Sequence, residues 1–402
     1  MEQVLQTQDT YNHEFADLDY DGDLDLAYEE TQTTFGIFVK WRENMGGAGF
    51  GPPTTIAEAE YTSPFLVADY NEDGYTDISF QTPRYGKIAW VQNDGTGHFT
   101  FHPTYISPKG NWLFEDISGD QVGDLIFING SSLSIGLGNG AGGFGPAKCI
   151  YPEFAVPFDV IIADADADGD QDVFYNDGGN LEIGWFRNEG QGNFSQKNVV
   201  EYNFQSYNLF VGDLDNDGYP ELSPRELDSL QLVWSGAPNG DYGIPDTLAL
   251  GLASHYISAA TDVDGDNDLD WQFFAHAPWT NTVTYSWLAN DGAGNFTPAL
   301  AYESAGPVFV DIDADGLADG ITWSVSELFW SKNNGNGDFG PLFTIGQYHQ
   351  GGIQGADLDL DGDQDLILSS PILPDWQNSY LFWLENQNNG GNWVEHLLTL
   401  PS

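Results

Sequence analysis

Acidic side chains recur along this chain in a fixed nine-residue frame. An acid stands at position one, oxygen-bearing side chains at three and five, usually Gly at six, and a last acid at nine. The first copy is Asp17, Asp19, Asp21 and Asp25, with Gly22 at position six. The second is Asp69, Asn71, Asp73 and Asp77, and the third Asp116, Ser118, Asp120 and Asp124. The fourth is Asp164, Asp166, Asp168 and Asp172, and the fifth Asp213, Asp215, Asp217 and Glu221. The sixth is Asp262, Asp264, Asp266 and Asp270, the seventh Asp311, Asp313, Asp315 and Asp319, and the eighth Asp357, Asp359, Asp361 and Asp365. A tight loop can aim these oxygens at one point. Position seven, held by Asp23, Tyr75, Asp170, Tyr219, Asp268, Leu317 and Asp363, would add its backbone carbonyl. Hard oxygen ligands in that number suit Ca²⁺, which accepts about six to eight of them flexibly, better than Mg²⁺, which prefers a rigid octahedron with several waters. Without a cation the crowded carboxylates repel one another, so metal is expected to order each loop and stabilise the fold. Up to eight ions are expected. The third site should be the weakest, because Ser118 replaces an acid and Gln121 replaces the Gly.

The spacing dictates what must position these loops. Successive copies begin 46 to 52 residues apart, and internal periods of that size mean repeat architectures. The last acid comes at nine rather than about twelve and apolar β-type runs flank it, so the loop is not an EF-hand. Apolar runs lead in, as in Phe65-Leu66-Val67-Ala68, and lead out, as in Asp124-Leu125-Ile126-Phe127-Ile128. About twenty residues later comes a second marker, Trp-x-x-Asn-x-Gly-x-Gly-x-Phe, as in Trp90, Asn93, Gly95, Gly97 and Phe99, or Trp287, Asn290, Gly292, Gly294 and Phe296. The third copy is the poorest, with Leu137 at the Trp place. Asn and Gly there suit tight hairpin turns. Each repeat thus has four short strands and no room for a helix, which reads as a propeller blade. The predicted fold is all-β: an eight-bladed β-propeller of four-stranded antiparallel blades, with a seven-bladed ring plus an extra partial blade as the alternative. A single domain spans 1–402, with blades beginning near 13, 64, 112, 159, 208, 257, 307 and 353. Residues 1–12 form an extra N-terminal strand available to seal the ring or to pair with another molecule. The regular Trp41, Trp90, Trp185, Trp234, Trp287, Trp330 and Trp383 series reads as packing between blades.

These loops and turns resemble the FG-GAP/VCBS repeat family, whose acid loop followed by a Trp and an Asn-Gly-Gly-Phe turn matches the pattern over essentially the whole chain. The resemblance implies a β-propeller with Ca²⁺ in the hairpin between the first two strands of each blade. Integrin α-subunit heads are similar, with seven blades. Secreted bacterial surface proteins also carry such repeats, and acid loops in all eight copies bring this chain closer to them in style. The family spans adhesins, lectins and some polysaccharide lyases, so its fold does not settle function.

Composition narrows the classes. Ten Lys and Arg face 62 Asp and Glu, a formal charge of −52, which repels nucleic acid and anionic lipid. Thirty of the acids occupy the four ligand positions. No apolar run is long enough to span a membrane. The start, Met1-Glu2-Gln3-Val4, lacks a basic region followed by an apolar stretch, so a signal peptide is absent or already removed. Cys149, the single cysteine, reads as a small buried hydrophobe and precludes an intrachain disulfide. No nucleophile elbow, HExxH or phosphate loop is present, and paired carboxylates are too common here to signal glycosidase chemistry. The function expected is therefore a secreted or cell-surface, non-catalytic adhesion, recognition or assembly module. The alternative is a carbohydrate-active enzyme (polysaccharide lyase or glycosidase) or a sugar-binding lectin on the same scaffold. A protein or glycan ligand would dock on the face opposite the metals. Candidate contacts there are the loops 275–281 and 371–377 and the aromatics Tyr61, Tyr105, Trp112, Tyr151, Tyr207 and Tyr256.

Overall fold

The computed structural model describes residues 13–31, 37–46, 49–59, 66–82, 87–104, 106–108, 112–154, 157–204, 208–224, 226–227, 230–249, 255–277, 282–298, 305–323, 326–335, 338–349, 351–372 and 375–398. The extra strand expected over 1–12 and the side chains of Tyr61, Tyr105, Tyr207 and Tyr256 lie outside these. The tips of the two loops proposed for ligand contact also lie outside them.

Each repeat folds as an antiparallel meander. In the fourth, Pro157–Ala163, Asp172–Asp177, Glu182–Asn188 and Phe194–Tyr202 pair in sequence order. The second strand is buried along its whole length, as its Val, Phe and Tyr content favours. Apolar faces of successive sheets pack on one another. Ile117, Ile126 and Leu133 of the third repeat cluster with Val173, Tyr175 and Phe186 of the fourth. The ring closes where Leu26 and Tyr28 of the first repeat meet Leu358, Ile367, Leu381 and Trp383 of the last. Closure therefore rests on packing between complete blades. Among the described residues no helix is long and apolar enough to cross a membrane.

The eight-bladed expectation needs correction. Seven repeats form complete sheets of four or more strands, and the fifth does not. It splits into two ladders, Leu209–Gly212 with Glu221–Pro224 and Leu230–Val233 with Asp246–Ala249. One bridge, Leu222 to Trp234, joins them, with both N–H···O contacts at 2.9 Å. The arrangement is the alternative reading, seven blades plus a partial one. Pro224 supplies the cause, since it ends the second strand and has no N–H to continue the ladder. Side chains take over there: Gln231 Nε2 donates to Ser223 Oγ at 2.6 Å and Ser223 Oγ to the Leu232 carbonyl at 2.7 Å. The chain then adds Glu226–Leu227 as a fifth strand on the sixth blade.

The Trp series packs between blades, and its partners are specific. Five of the rings, Trp41, Trp90, Trp185, Trp330 and Trp383, lie against the Gly turn of the next blade. A Cβ on Gly97 would fall 2.3 Å from the Trp41 ring, on Gly240 2.1 Å from Trp185, and on Gly390 2.4 Å from Trp330. Leu137 does the same work in the third blade, 2.8 Å from a Cβ on Gly192. The Trp and the Gly turn, neighbours in the sequence motif, thus serve different interfaces. Cys149 is exposed rather than buried, because it lies on the outermost strand of its blade. Trp112 and Tyr151, expected on a ligand face, belong to the core instead. Trp112 is buried beside Leu125 and Phe127, and Tyr151 packs on Phe154 and Phe186.

Two glycines separate packing from backbone strain. Gly142 has φ +69° and a Cβ there would fall 1.7 Å from Trp90, whereas Gly130 has φ +67° and open space. Gly130→Ala should cost only the left-handed penalty of about 1–2 kcal/mol. Gly142→Ala should cost at least about 2 kcal/mol more by urea unfolding, because the neighbouring blade must move. Equal losses would contradict this account of the interface.

Candidate metal centres

The acid loops owe their shape to backbone hydrogen bonds onto their own carboxylates. In all eight, the position-one acid accepts the amide of position six, from Gln121 N–H to Asp116 at 2.7 Å to Gly22 N–H to Asp17 at 3.2 Å. The position-five acid accepts the amide of position seven in every copy, as Tyr75 N–H does to Asp73 at 3.0 Å. These bonds coil the chain through two left-handed residues, at positions four and six. Position six is Gly22, Gly74, Gly169, Gly218, Gly316 or Gly362 in six loops. The third and sixth loops trade places, with Gly119 and Gly265 at position four and Gln121 and Asn267 at six. Every loop therefore keeps one glycine at one of its two demanding positions.

The ninth-position acid does something the spacing alone did not reveal. It is buried in all eight repeats and uses both carboxylate oxygens as backbone acceptors. Asp172 Oδ2 takes the Ala165 N–H at 2.9 Å, and its Oδ1 takes the Asn188 N–H at 2.7 Å. Asp25, Asp77, Asp270, Asp319 and Asp365 repeat the pattern, with Asp124 and Glu221 as close variants. The carboxylate thus clamps the acid loop to the turn between strands three and four.

The Asn of that turn extends the clamp to the neighbouring blade. Asn188 Nδ2 donates to the Ile117 carbonyl, in the preceding loop, at 2.6 Å, and to the Gln171 carbonyl of its own loop at 3.0 Å. Asn44, Asn93, Asn290, Asn333 and Asn386 make the same pair of bonds, Asn44 reaching Leu358 across the ring closure. Sequence reasoning took these residues as turn formers. A Gly two residues later, present for all of them but Asn386, was the signal, but the cross-blade target is visible only in the fold.

Carboxylates converge as a cation site requires. One oxygen from each of Asp17, Asp19 and Asp25 lies within 4.8 Å of the others. The same holds for Asp164, Asp166 and Asp172, for Asp213, Asp215 and Glu221, and for Asp262, Asp264 and Asp270. The seventh loop gathers Asp311, Asp313 and Asp315. Positions one, three and nine form the trio in four of these loops, and position five takes the place of nine in the seventh. Several of the oxygens are buried without a hydrogen-bond partner: Oδ1 of Asp17, Asp213, Asp264, Asp313 and Asp357. The third loop has Ser118 at position three, and Asp116 is occupied by the amides of Gly119, Asp120 and Gln121 at 2.7–3.1 Å. Asp262 of the sixth loop accepts the same three amides, so the third loop stands apart by Ser118 rather than by this pattern.

Burial sets the protonation. It pushes the carboxyls of Asp25, Asp77, Asp172, Asp270 and Asp365 from 3.8 up to about 7, against the opposing effect of the two amides, and Glu221 from 4.5 to about 7. A carboxyl with a raised folded-state pKa binds its proton more tightly in the folded chain. Its contribution to stability is full below the unfolded value and is lost as pH rises through the folded one. Metal-free protein should accordingly lose thermal stability between about pH 4 and about pH 7, and saturating Ca²⁺, which needs the ionised form, should remove that loss. Metal-free stability that climbed across the same window would contradict the burial of these acids.

A family model described as FG-GAP-like repeat matches residues 164–222. No curated protein matches the chain by sequence. Among solved structures, an Agrocybe aegerita lectin described as recognising non-reducing terminal N-acetylglucosamine is similar at 20% identity and a TM-score of 0.56, over 84% of this chain and 94% of that one. The V. cholerae biofilm matrix protein Bap1 is similar at 11% identity and a TM-score of 0.38, over 98% and 80%. A Photorhabdus luminescens Tc holotoxin pore is similar at 13% and 0.41, over 93% and 19%. The lectin shares the fold, and the other two are too distant to add to it. The FG-GAP-like repeat match and the ring of antiparallel blades support an FG-GAP/VCBS-type repeat propeller.

Proposed function

We propose that this propeller binds Ca²⁺ in its acid loops and acts outside the cell as a non-catalytic recognition or adhesion module. One observation carries the metal reading: carboxylate oxygens converge within 4.8 Å while several of them, buried, have no hydrogen-bond donor. A buried anion without a partner is costly, so it must bind a proton or a cation. With 62 acids against ten Lys and Arg, the chain cannot supply a cation to every loop. Hard oxygen donors select Ca²⁺ over softer ions.

The lectin of similar fold makes glycans the first ligand class to screen. Thirty of the 62 acids sit at loop ligand positions, which favours binding over turnover for them.

Chelation tests the metal reading. A single site at one hundred times its Kd stabilises by about 2.7 kcal/mol, and several sites add. Excess chelator should lower the melting temperature by many degrees, and Ca²⁺ should restore it more fully than Mg²⁺. An unchanged melting curve would sink the metal reading. Glycan-array binding without turnover would support recognition, and steady depolymerisation of a bound polysaccharide would overturn the non-catalytic assignment.

A further inference from the structure

In five repeats, the first, second, fourth, seventh and eighth, the residue immediately before the inter-blade Asn bears on the charge of the acid loop of its own repeat. In the fourth repeat it is Arg187, whose Nη1 lies 2.8 Å from Asp166 Oδ2 and whose Nη2 lies 2.8 Å from Asp168 Oδ2. In the seventh it is Lys332, whose Nζ contacts Asp313 and lies 2.6 Å from Asp315 Oδ2. In the second it is Gln92, whose amide donates to Asp73 at 3.0 Å. In the first and eighth it is an acid, Glu43 or Glu385, and each adds to the repulsion on a position-three carboxylate, Asp19 or Asp359. Those two loops also carry Asp23 and Asp363 at position seven, only 8% and 5% exposed, each with Oδ1 unpartnered.

By sequence the first, fourth, seventh and eighth loops look equivalent, each with a full acid set and its Gly. In space they divide. We infer that Arg187 and Lys332 are built-in counter-cations that hold the fourth and seventh loops without metal, whereas the first and eighth, crowned by Glu43 and Glu385, are the tight divalent-cation sites. This rests on the reading that the loops take Ca²⁺, and it assigns which of them do. A guanidinium bridging two carboxylates occupies the space and charge a divalent ion would take, and the two exclude each other. The ring then has fixed struts at two repeats and metal-dependent ones elsewhere.

Counting bound Ca²⁺ by equilibrium dialysis at limiting free Ca²⁺, with melting curves alongside, tests this. Arg187→Met and Lys332→Met should each raise the tight stoichiometry by one, and each should lower the melting temperature without metal but not with it. Glu43→Lys, an exposed substitution that keeps the fold, should lower the stoichiometry by one. Unchanged stoichiometry in all three would overturn the inference even if the wild-type chain binds Ca²⁺. A wild-type chain that binds none while the Met variants gain a site would instead refute the parent reading and uphold the role of the two cations.

Discussion

A buried carboxylate with two backbone amides on it governs this molecule. The ninth-position acid of each repeat fixes the acid loop on one side and the turn between strands three and four on the other. Both segments are irregular backbone, whose amides would otherwise lack acceptors at the rim of the sheet. A charged acceptor serves them better than a neutral one, since such hydrogen bonds are roughly twice as strong. The same charge is expensive where it lies, as the upward shift of these carboxyls to about 7 shows. The clamp is at its best ionised, and an ionised clamp next to two or three further carboxylates calls for a cation.

From this constraint the ring acquires its communication. In six repeats the turn held by the carboxylate carries the Asn that donates into the preceding loop, so six of the eight loops are tied to the next blade this way. Ordering one loop therefore steadies the backbone on which its neighbour's Asn depends. The Trp rings beneath the Gly turns complete the same joints from the apolar side. The third and fifth repeats lack the Asn and have Gly138 and Gly236 in its place; the third still forms a complete sheet, whereas the sheet of the fifth divides.

Much of this was legible in the sequence. Period, loop, turn and Trp marker specify the blades, because each is a local pattern with a local cause. What escaped was whatever depends on the partner of a residue rather than its type. Asp at position nine is the same letter whether it ligates an ion or clamps two amides, and spacing permits both. Pro224 marked the end of a strand, but the division of its blade also needed Gln231 and Ser223 to satisfy the freed backbone. Position four is left-handed in every loop, yet Tyr20, Glu72, Ala167, Ala314 and Leu360 give no compositional hint of it. Arg187 and Lys332 stand about twenty residues from the acids they neutralise, joined to them only by the pairing of strands two and three.

The most direct test is crystallographic. Crystals grown with Ca²⁺ and measured at a long wavelength should show anomalous peaks inside the acid loops, bound by the acids of positions one and three and bordered by that of position nine. Well-ordered loops holding only water, with no anomalous signal in any repeat, would contradict the claim that divalent ions complete this ring.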